Sequence, residues 1–475
     1  MSLRLQSIRG AVTLTAGQAI AQLIGFARNV VIARLLSPQD IGIAATLAIA
    51  LSLLDLLGDV SLDKLLIQSE NGEVPRLQAT AHLIAASRGL VQAVVLVFLS
   101  EPLALFFDLP GKAWAFQCVA IGLLLRGLAH SDISRLQREL RFGPATIAEL
   151  LPQVVGLALV YPLAVWLGDF RAVLIATLIQ GAIYVVLTHA VAVRRYRWAY
   201  DSDCARQVFV FGWPLLINGA LLFAINQGDR AVLGAAYSKD DLGLYTVAAS
   251  LTAIPTSMLF KLTGGLFLPV LARSATVDED FRTRYSSCLQ LTVLLSMLCA
   301  VPMVLAGSWA VVAIYGSAYG GAASLIGWMA IVQSVRAVRS LPTLAALSRG
   351  DSPSVLVSNV VRAGALPMTV VAASYSASML VIVQLAFAGE VIALAAGVLW
   401  LKRRHKVAVG IHFYPILMLA CIIVIAVECS KVLPPTTAAV LSVPSVVIFF
   451  GLMATALPAM RAECARFICK RLLVT

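Results

Sequence analysis

Runs of about 20 apolar residues, separated only by short polar breaks, dominate this 475-residue chain. Each run is long enough for an α-helix to cross a hydrocarbon core of ~30 Å. Segments 154–167 and 380–401 leave almost no polar face for water. Neither shows the alternation of a barrel strand. Only 13% of the residues are charged and the mean hydropathy is +0.91, whereas a soluble chain carries roughly a quarter charged residues. The pattern predicts an all-α polytopic membrane protein with fourteen transmembrane helices, approximately 11–36, 39–67, 79–100, 112–131, 144–166, 171–193, 207–236, 241–270, 285–306, 321–342, 354–374, 379–400, 410–428 and 438–460.

The basic residues orient those spans. The termini and the even-numbered gaps hold 22 lysines and arginines, while the odd-numbered gaps hold four: Lys112, Arg171, Lys239 and Lys431. This asymmetry predicts that both termini and the even gaps are cytoplasmic. The net charge of +12 is then mainly a topology signal. The charges are scattered over short loops without a nucleic-acid motif, and no nucleic-acid partner is expected. Arg4 and Arg9 before an apolar run outline a signal peptide. The run is too long and Arg28 interrupts it, so an uncleaved first span is expected. The eight cysteines show no metal-binding spacing, and neither a metal, a disulfide framework nor a cofactor is predicted.

Ser37-Pro-Gln-Asp-Ile-Gly-Ile43 returns 201 residues later as Ser238-Lys-Asp-Asp-Leu-Gly-Leu244, each copy in the polar break between two long spans. Arg28-Asn29 and Asp229-Arg230 share that offset. Such a repeat points to duplication of a multi-span unit. In membranes that architecture belongs mostly to transporters, with a substrate site between the halves.

Catalysis has little room. The longest gaps, around 194–206, 271–284 and 307–320, hold about a dozen residues, too few for a catalytic domain. Asp201-Ser-Asp203 matches the D-x-D pattern of metal-dependent glycosyltransferases but lacks an α/β domain around it, and reads as a solvated loop. No Walker A loop, HExxH or G-x-S-x-G occurs. The chain is not expected to be an enzyme.

Ionisable groups inside spans are the candidate functional residues, because each costs at least ~2.5–3.5 kcal/mol at a helix centre. The clear cases are Arg28, Arg88, Arg126, Arg230, Lys261, Arg336 and Arg362 against Asp55, Asp59, Asp229 and Glu390. The surplus predicts a net positive interior suited to an anionic substrate, with guanidinium forks matching phosphate oxygens. At ~1.5 Å per residue, Arg28 lies roughly 12 Å and Asp55 roughly 24 Å below the outer end of their spans. Direct pairing between them is not expected. Asp55 and Asp59 form an i,i+4 carboxylate stripe that Asp63 extends, a candidate for ion coupling together with Asp229. Asp229 and Arg230 are adjacent and need separate partners, and an interhelical bond competes with ligand contact for Asp229. His82, His130 and His189 are expected to pack rather than to relay protons. Pro255, six residues before Lys261, is the best hinge candidate among the prolines within spans. A fixed, packed kink is the alternative there.

The stretch Phe26-Ala-Arg-Asn-Val-Val-Ile-Ala-Arg-Leu-Leu-Ser-Pro-Gln-Asp-Ile-Gly-Ile43 resembles the first-span signature of Wzx-type polysaccharide flippases. These are the polysaccharide transporter branch of the multidrug/oligosaccharidyl-lipid/polysaccharide (MOP) exporter superfamily. Leu136-Gln-Arg-Glu-Leu-Arg-Phe142 resembles the loop before the fifth span, and Asn226-Gln-Gly-Asp-Arg230 with Leu242-Gly-Leu-Tyr245 is similar to the seventh- and eighth-span motif. The resemblance implies the MATE-like fold of two pseudo-symmetric six-helix lobes, 1–200 and 201–401, facing a central cavity. Segment 402–475 would add two C-terminal spans and a basic cytoplasmic tail. It implies a bacterial inner-membrane location and a polyprenyl-diphosphate-linked oligosaccharide as substrate, carried from the cytoplasmic to the periplasmic leaflet. Other polysaccharide-assembly membrane proteins are a further implied class of partner. By similarity to lipid II flippases of the superfamily, Arg28 in span 1 and Lys261 in span 8 would hold the diphosphate. As intramembrane cations, Arg88, Arg126 and Arg230 are further candidates for contact with the diphosphate or the sugars. The rival reading is a proton- or sodium-coupled multidrug exporter on the same fold. A drug-cation pocket should be acidic and aromatic-rich, whereas this interior is basic and only 8% of residues are aromatic.

Overall fold

A chain inside lipid has to satisfy its backbone polar groups internally, and a helix does so within one segment. The computed structural model describes residues 3–69 and 71–432, where every regular element is helical. In order these are α1 (Leu3–Leu35), α2 (Pro38–Gly58), α3 (Leu62–Gln68), α4 (Pro75–Phe106), α5 (Ala113–Gly127), α6 (Asp132–Arg138), α7 (Gly143–Leu167) and α8 (Arg171–Val191). There follow α9 (Ser202–Ala236), α10 (Lys239–Leu262), α11 (Leu268–Ala272), α12 (Asp278–Tyr315), α13 (Ala323–Ser348), α14 (Pro353–Ala363), α15 (Ala365–Ser374), α16 (Met379–His405) and α17 (Gly410–Val432). Among the described residues, twelve helical stretches are long and apolar enough to cross a membrane, or 13 when the bent pair α5–α6 counts as one span. This is a multi-pass membrane protein. The predicted fourteenth span, 438–460, and the basic tail lie outside the described residues.

Several predicted spans are broken. Span 39–67 is two helices: α2 stops at Gly58, Asp59 caps it, and Ser61 takes a φ of 50° before α3 begins. Asp59 accepts the Ser61 N–H at 2.8 Å, which fixes the turn. A Cβ on Gly58 would overlap the Gln92 amide of α4, so glycine permits that close approach. The expected Asp55/Asp59/Asp63 stripe is therefore corrected. Asp55 is helical, Asp59 is the cap, and Asp63 belongs to α3. Where the predicted span 112–131 ends, the chain bends by 47° between α5 and α6. Span 241–270 passes through a π-helical turn, Thr263–Phe267, between α10 and α11. Pro269 lacks the N–H that a regular α-helix would direct to the residue 265 carbonyl there.

By contacts the chain forms two units, Met1–Gly243 and Leu244–Thr475. In the first, α1 packs on α7, α7 on α8, α4 on α5, and α9 along α2 and α4. In the second, α12 packs on α13 and α17, while α16 packs on α13, α14 and α15. Phe281, Tyr285, Leu289, Val293 and Leu341 are fully buried in its core.

The sequence repeat is a helix-start device. Ser37 Oγ accepts the Asp40 N–H at 3.2 Å, and the Asp40 carboxylate accepts the Ser37 N–H, a reciprocal capping box. In the second copy Ser238 Oγ accepts the Asp241 N–H at 3.1 Å. The copies also meet. A Cβ on Gly42 would overlap the Lys239 carbonyl, and a Cβ on Gly243 would overlap the Pro38 carbonyl. Both pairs are related by the same 201-residue offset, so the duplication closes on itself through two backbone contacts that admit no side chain. Gly42→Ala or Gly243→Ala is expected to lower stability by about 1–3 kcal/mol through overpacking. Gly25→Ala, with nothing within 4 Å of the added methyl, should leave the thermal midpoint unchanged or raised. Thermal unfolding of the three purified variants checks this.

Each unit ties one end of its helices with an aspartate. Asp132 is fully buried. Its Oδ1 accepts Arg135 Nε–H at 2.6 Å and the Gln78 amide at 3.2 Å. Its Oδ2 accepts the N–H groups of Val193 at 2.8 Å and Arg194 at 3.1 Å. The chain leaving α8 is thus fastened to α6. Beside it His82, His130, His189 and Tyr196 pack ring on ring, centroids 4.2–5.3 Å apart. His82 Nε2 accepts the Ser131 N–H and its Nδ1 donates to the Arg197 carbonyl, so the ring is neutral and structural. In the second unit Asp351, between α13 and α14, accepts Trp400 Nε1–H at 2.7 Å and His405 Nε2–H at 2.9 Å. Burial alone would raise the Asp351 pKa, but these two bonds together with the charges of His405 and Arg404 outweigh it and hold the carboxyl below its ordinary range.

Candidate functional site

Guanidinium groups inside spans need partners, and the kind of partner decides what charge is left for a ligand. On α1, Arg28 donates through NH1 to Gln180 Oε1 of α8 at 2.7 Å. The partner is neutral, so the positive charge stays uncompensated by this contact. Arg28 Nε–H and the Gln180 amide nitrogen are both buried without an acceptor. Two unsatisfied donors beside one full charge make an oxyanion-seeking arrangement. Asp55 is not its partner, in keeping with the depth difference.

The other cations of the first unit are placed differently. Arg126, in the last turn of α5, forms an ion pair with Asp55 of α2. Arg88 of α4 lies 3.5 Å from the Asp59 carboxylate and 3.5 Å from the Gly58 carbonyl. These pairs join α2 to α5 and α4, and half the Arg126 side chain stays exposed. Asp55 and Asp59, two of the three carboxylates named for ion coupling, thus each carry an arginine, which takes two of the intramembrane cations out of the set open to a ligand. On α9, Arg230 NH1 donates to Gln227 Oε1 at 3.5 Å, again a neutral partner, and the Asp229 carboxylate accepts the Arg230 N–H at 2.8 Å. Lys261 falls in α10, but its side chain lies outside the described residues. Pro255 sits inside α10, which stays helical across it, and the backbone departs from α geometry only beyond Lys261.

The second unit gathers charge around one carboxylate. Glu390 of α16 is buried. It accepts from Arg336 Nε at 2.8 Å, Arg339 Nε at 2.7 Å and Arg362 Nε at 3.0 Å. Arg339 NH1 also donates to Ser358 Oγ at 2.8 Å. Sequence reasoning passed over Arg339 and Gln180. The signal for the first was its i,i+3 spacing from Arg336 along α13; for the second, a lone amide in an apolar span. Among the described residues no group of three or more His, Cys, Asp or Glu side chains could hold a metal ion.

Comparison with known proteins bears on the family and the fold. The model of a family described as "Polysaccharide biosynthesis protein" matches residues 31–324. The succinoglycan biosynthesis transport protein ExoT of Rhizobium meliloti is 23% identical over 314 residues, 64% of this chain and 62% of that protein. The teichuronic acid biosynthesis protein TuaB of Bacillus subtilis is 20% identical over 299 residues, 62% of this chain and 61% of that protein. The chain therefore spans less than two thirds of these curated relatives. Among solved structures, the lipid II flippase MurJ in an inward closed conformation superposes with a TM-score of 0.70 at 11% identity, covering 94% of this chain and 98% of that one. An inward-facing multidrug resistance MATE transporter of the MOP superfamily gives 0.64 at 13% identity, covering 83% and 98%. The fold is thus the one shared by MATE transporters and MurJ.

Proposed function

This chain belongs to the polysaccharide biosynthesis protein family, and from that premise we propose that it flips a polyprenyl-diphosphate-linked oligosaccharide from the cytoplasmic to the periplasmic leaflet of a bacterial inner membrane. The observation that carries the reading is Arg28, an intramembrane guanidinium bonded to a glutamine rather than a carboxylate, with unsatisfied donors on both partners. A diphosphate oxygen is the acceptor that such a set fits. Arg230, on its own neutral glutamine, and Lys261 are the further cations proposed to engage the headgroup. Arg88 and Arg126 would do so only by exchanging Asp59 and Asp55 for it, and release of those carboxylates is the step at which an ion could be coupled. Pro255 is proposed as the hinge that moves Lys261. The excess of basic residues in the termini and even gaps supports cytoplasmic ends.

Two negative charges moving outward across an inside-negative membrane gain ~2.3 kcal/mol each per 100 mV, about 4.6 kcal/mol together. Ion antiport is then not required for direction, and no catalytic chemistry is proposed. The multidrug exporter is the second reading, favoured by the MATE-like fold and opposed by the basic interior. Proteoliposomes holding the purified chain should translocate a fluorescent polyprenyl-diphosphate oligosaccharide, faster with an imposed potential positive on the side to which the headgroup moves. Cells expressing it should gain no resistance to cationic dyes. Dye resistance without lipid translocation would replace this reading with the exporter.

A further inference from the structure

The charge balance of the second unit points to a site that Arg28 does not account for. Arg336 lies near the middle of α13, Glu390 near the middle of α16, and Arg362 midway along the 353–374 span. Three guanidinium groups therefore meet one carboxylate deep in the apolar layer. One negative charge against three positive leaves a local excess of two, with Glu390 and Arg339 both buried. A purely structural staple needs one arginine, or two, per carboxylate. A third adds desolvation and mutual repulsion without a further anion to bind. The three are not equivalent. Arg339 is spent on Glu390 and Ser358, and Arg362 directs both Nε and NH2 at Glu390 Oε1. Arg336 gives the carboxylate only its Nε and keeps a quarter of its side chain exposed. Its two terminal amino groups, which make no hydrogen bond among the described residues, form the open end of the cluster.

We propose that the second unit carries its own oxyanion site, with Arg336 as the ligand-facing fork and with Glu390, Arg339 and Arg362 holding it in place, and that it takes a carboxylate or phosphate group of the transported lipid-linked glycan. The identity of the occupant rests on the transport reading above; the site itself rests on the charge count and the geometry. Glu390 supplies order: it fixes the three forks at one point while leaving the cluster cationic. A substrate anion entering there meets preformed donors in a low-dielectric surround, where a bidentate guanidinium contact is strongest.

The test uses the full chain in lipid nanodiscs with Arg28→Gln, Arg230→Gln and Lys261→Gln in place, so that the cations proposed for the diphosphate clamp do not register. Thermal midpoints are measured with sodium glucuronate, inorganic pyrophosphate or glucose at constant ionic strength. The expected result is a rise of several degrees with glucuronate or pyrophosphate and none with glucose. Adding Arg336→Gln should abolish the rise while Arg339 and Arg362 still satisfy Glu390. Arg336→Lys, which keeps the charge but loses the fork, should weaken the apparent affinity at least tenfold. A response to glucuronate alone assigns the site to an acidic sugar, and a response to pyrophosphate alone to the lipid diphosphate. No response to either anion, or a response unchanged by both Arg336 variants, overturns the proposal.

Discussion

Under the proposed flipping activity, Arg28→Ala is expected to reduce translocation of a lipid-linked oligosaccharide by about 100-fold or more while the protein still accumulates in the membrane. Truncating one member of a buried, hydrogen-bonded charge contact typically costs 2–5 kcal/mol, and each 1.4 kcal/mol is about tenfold in rate or affinity. The fold should survive, because the partner left behind is the neutral Gln180 amide and no orphaned carboxylate results. Arg28→Lys retains the charge but not the two-pronged donor geometry, and should recover only part of the activity. Gln180→Ala removes the group that aims the guanidinium, and a loss of about tenfold is expected from one charge-assisted bond. Lipid translocation in proteoliposomes, normalised to protein inserted, measures all three. Wild-type rates in Arg28→Ala would remove the clamp from the mechanism.

Asp132→Ala should act on stability instead. The carboxylate is fully buried and holds Arg135, Gln78 and the N–H groups of Val193 and Arg194. Its removal leaves a buried arginine short of its principal partner, and breaking a buried pair in this way costs about 3–5 kcal/mol. Glu139 remains on Arg135 and keeps the loss from growing further. The freed N–H groups belong to the segment leaving α8, so that segment should become open to protease first. Asp132→Asn keeps an acceptor and should lie between wild type and Ala. Asp351→Ala, whose partners are Trp400 and His405, should cost about 1–3 kcal/mol. Thermal unfolding and limited proteolysis of purified protein separate the three variants.

The spans were legible because lipid imposes one simple rule on the chain, a run of about 20 apolar residues per crossing. What lay beyond the sequence was the interior of each run. Nothing in 39–67 announces that the helix stops at Gly58, since the stop depends on Gln92 of another helix packing against that glycine. The bend between α5 and α6 likewise depends on residues brought from elsewhere, Gln78 and Thr188 among them. The cations were visible as intramembrane charges, but their partners were not. Arg126 with Asp55 and Arg88 with Asp59 are long-range pairs that a linear reading cannot match. Arg339 sits three residues from the end of the predicted 321–342 span, where a long basic side chain normally snorkels to the interface. The helix in fact continues to Ser348, which draws Arg339 inside. Gln180 gave only a faint signal, one amide among apolar neighbours. The repeat was plain in sequence, yet the two glycine contacts that close it required coordinates.

The cluster around Glu390 also bears on how the polypeptide enters the bilayer during synthesis. Arg362 leaves the ribosome 28 residues ahead of the carboxylate that receives it, and Arg336 leaves 54 residues ahead. Until α16 emerges, α13 and α14 carry bare guanidinium groups that lipid tails will not solvate. These segments must therefore linger at the wet mouth of the insertion machinery and pass into the membrane together with α16, as a cohort of three rather than one at a time.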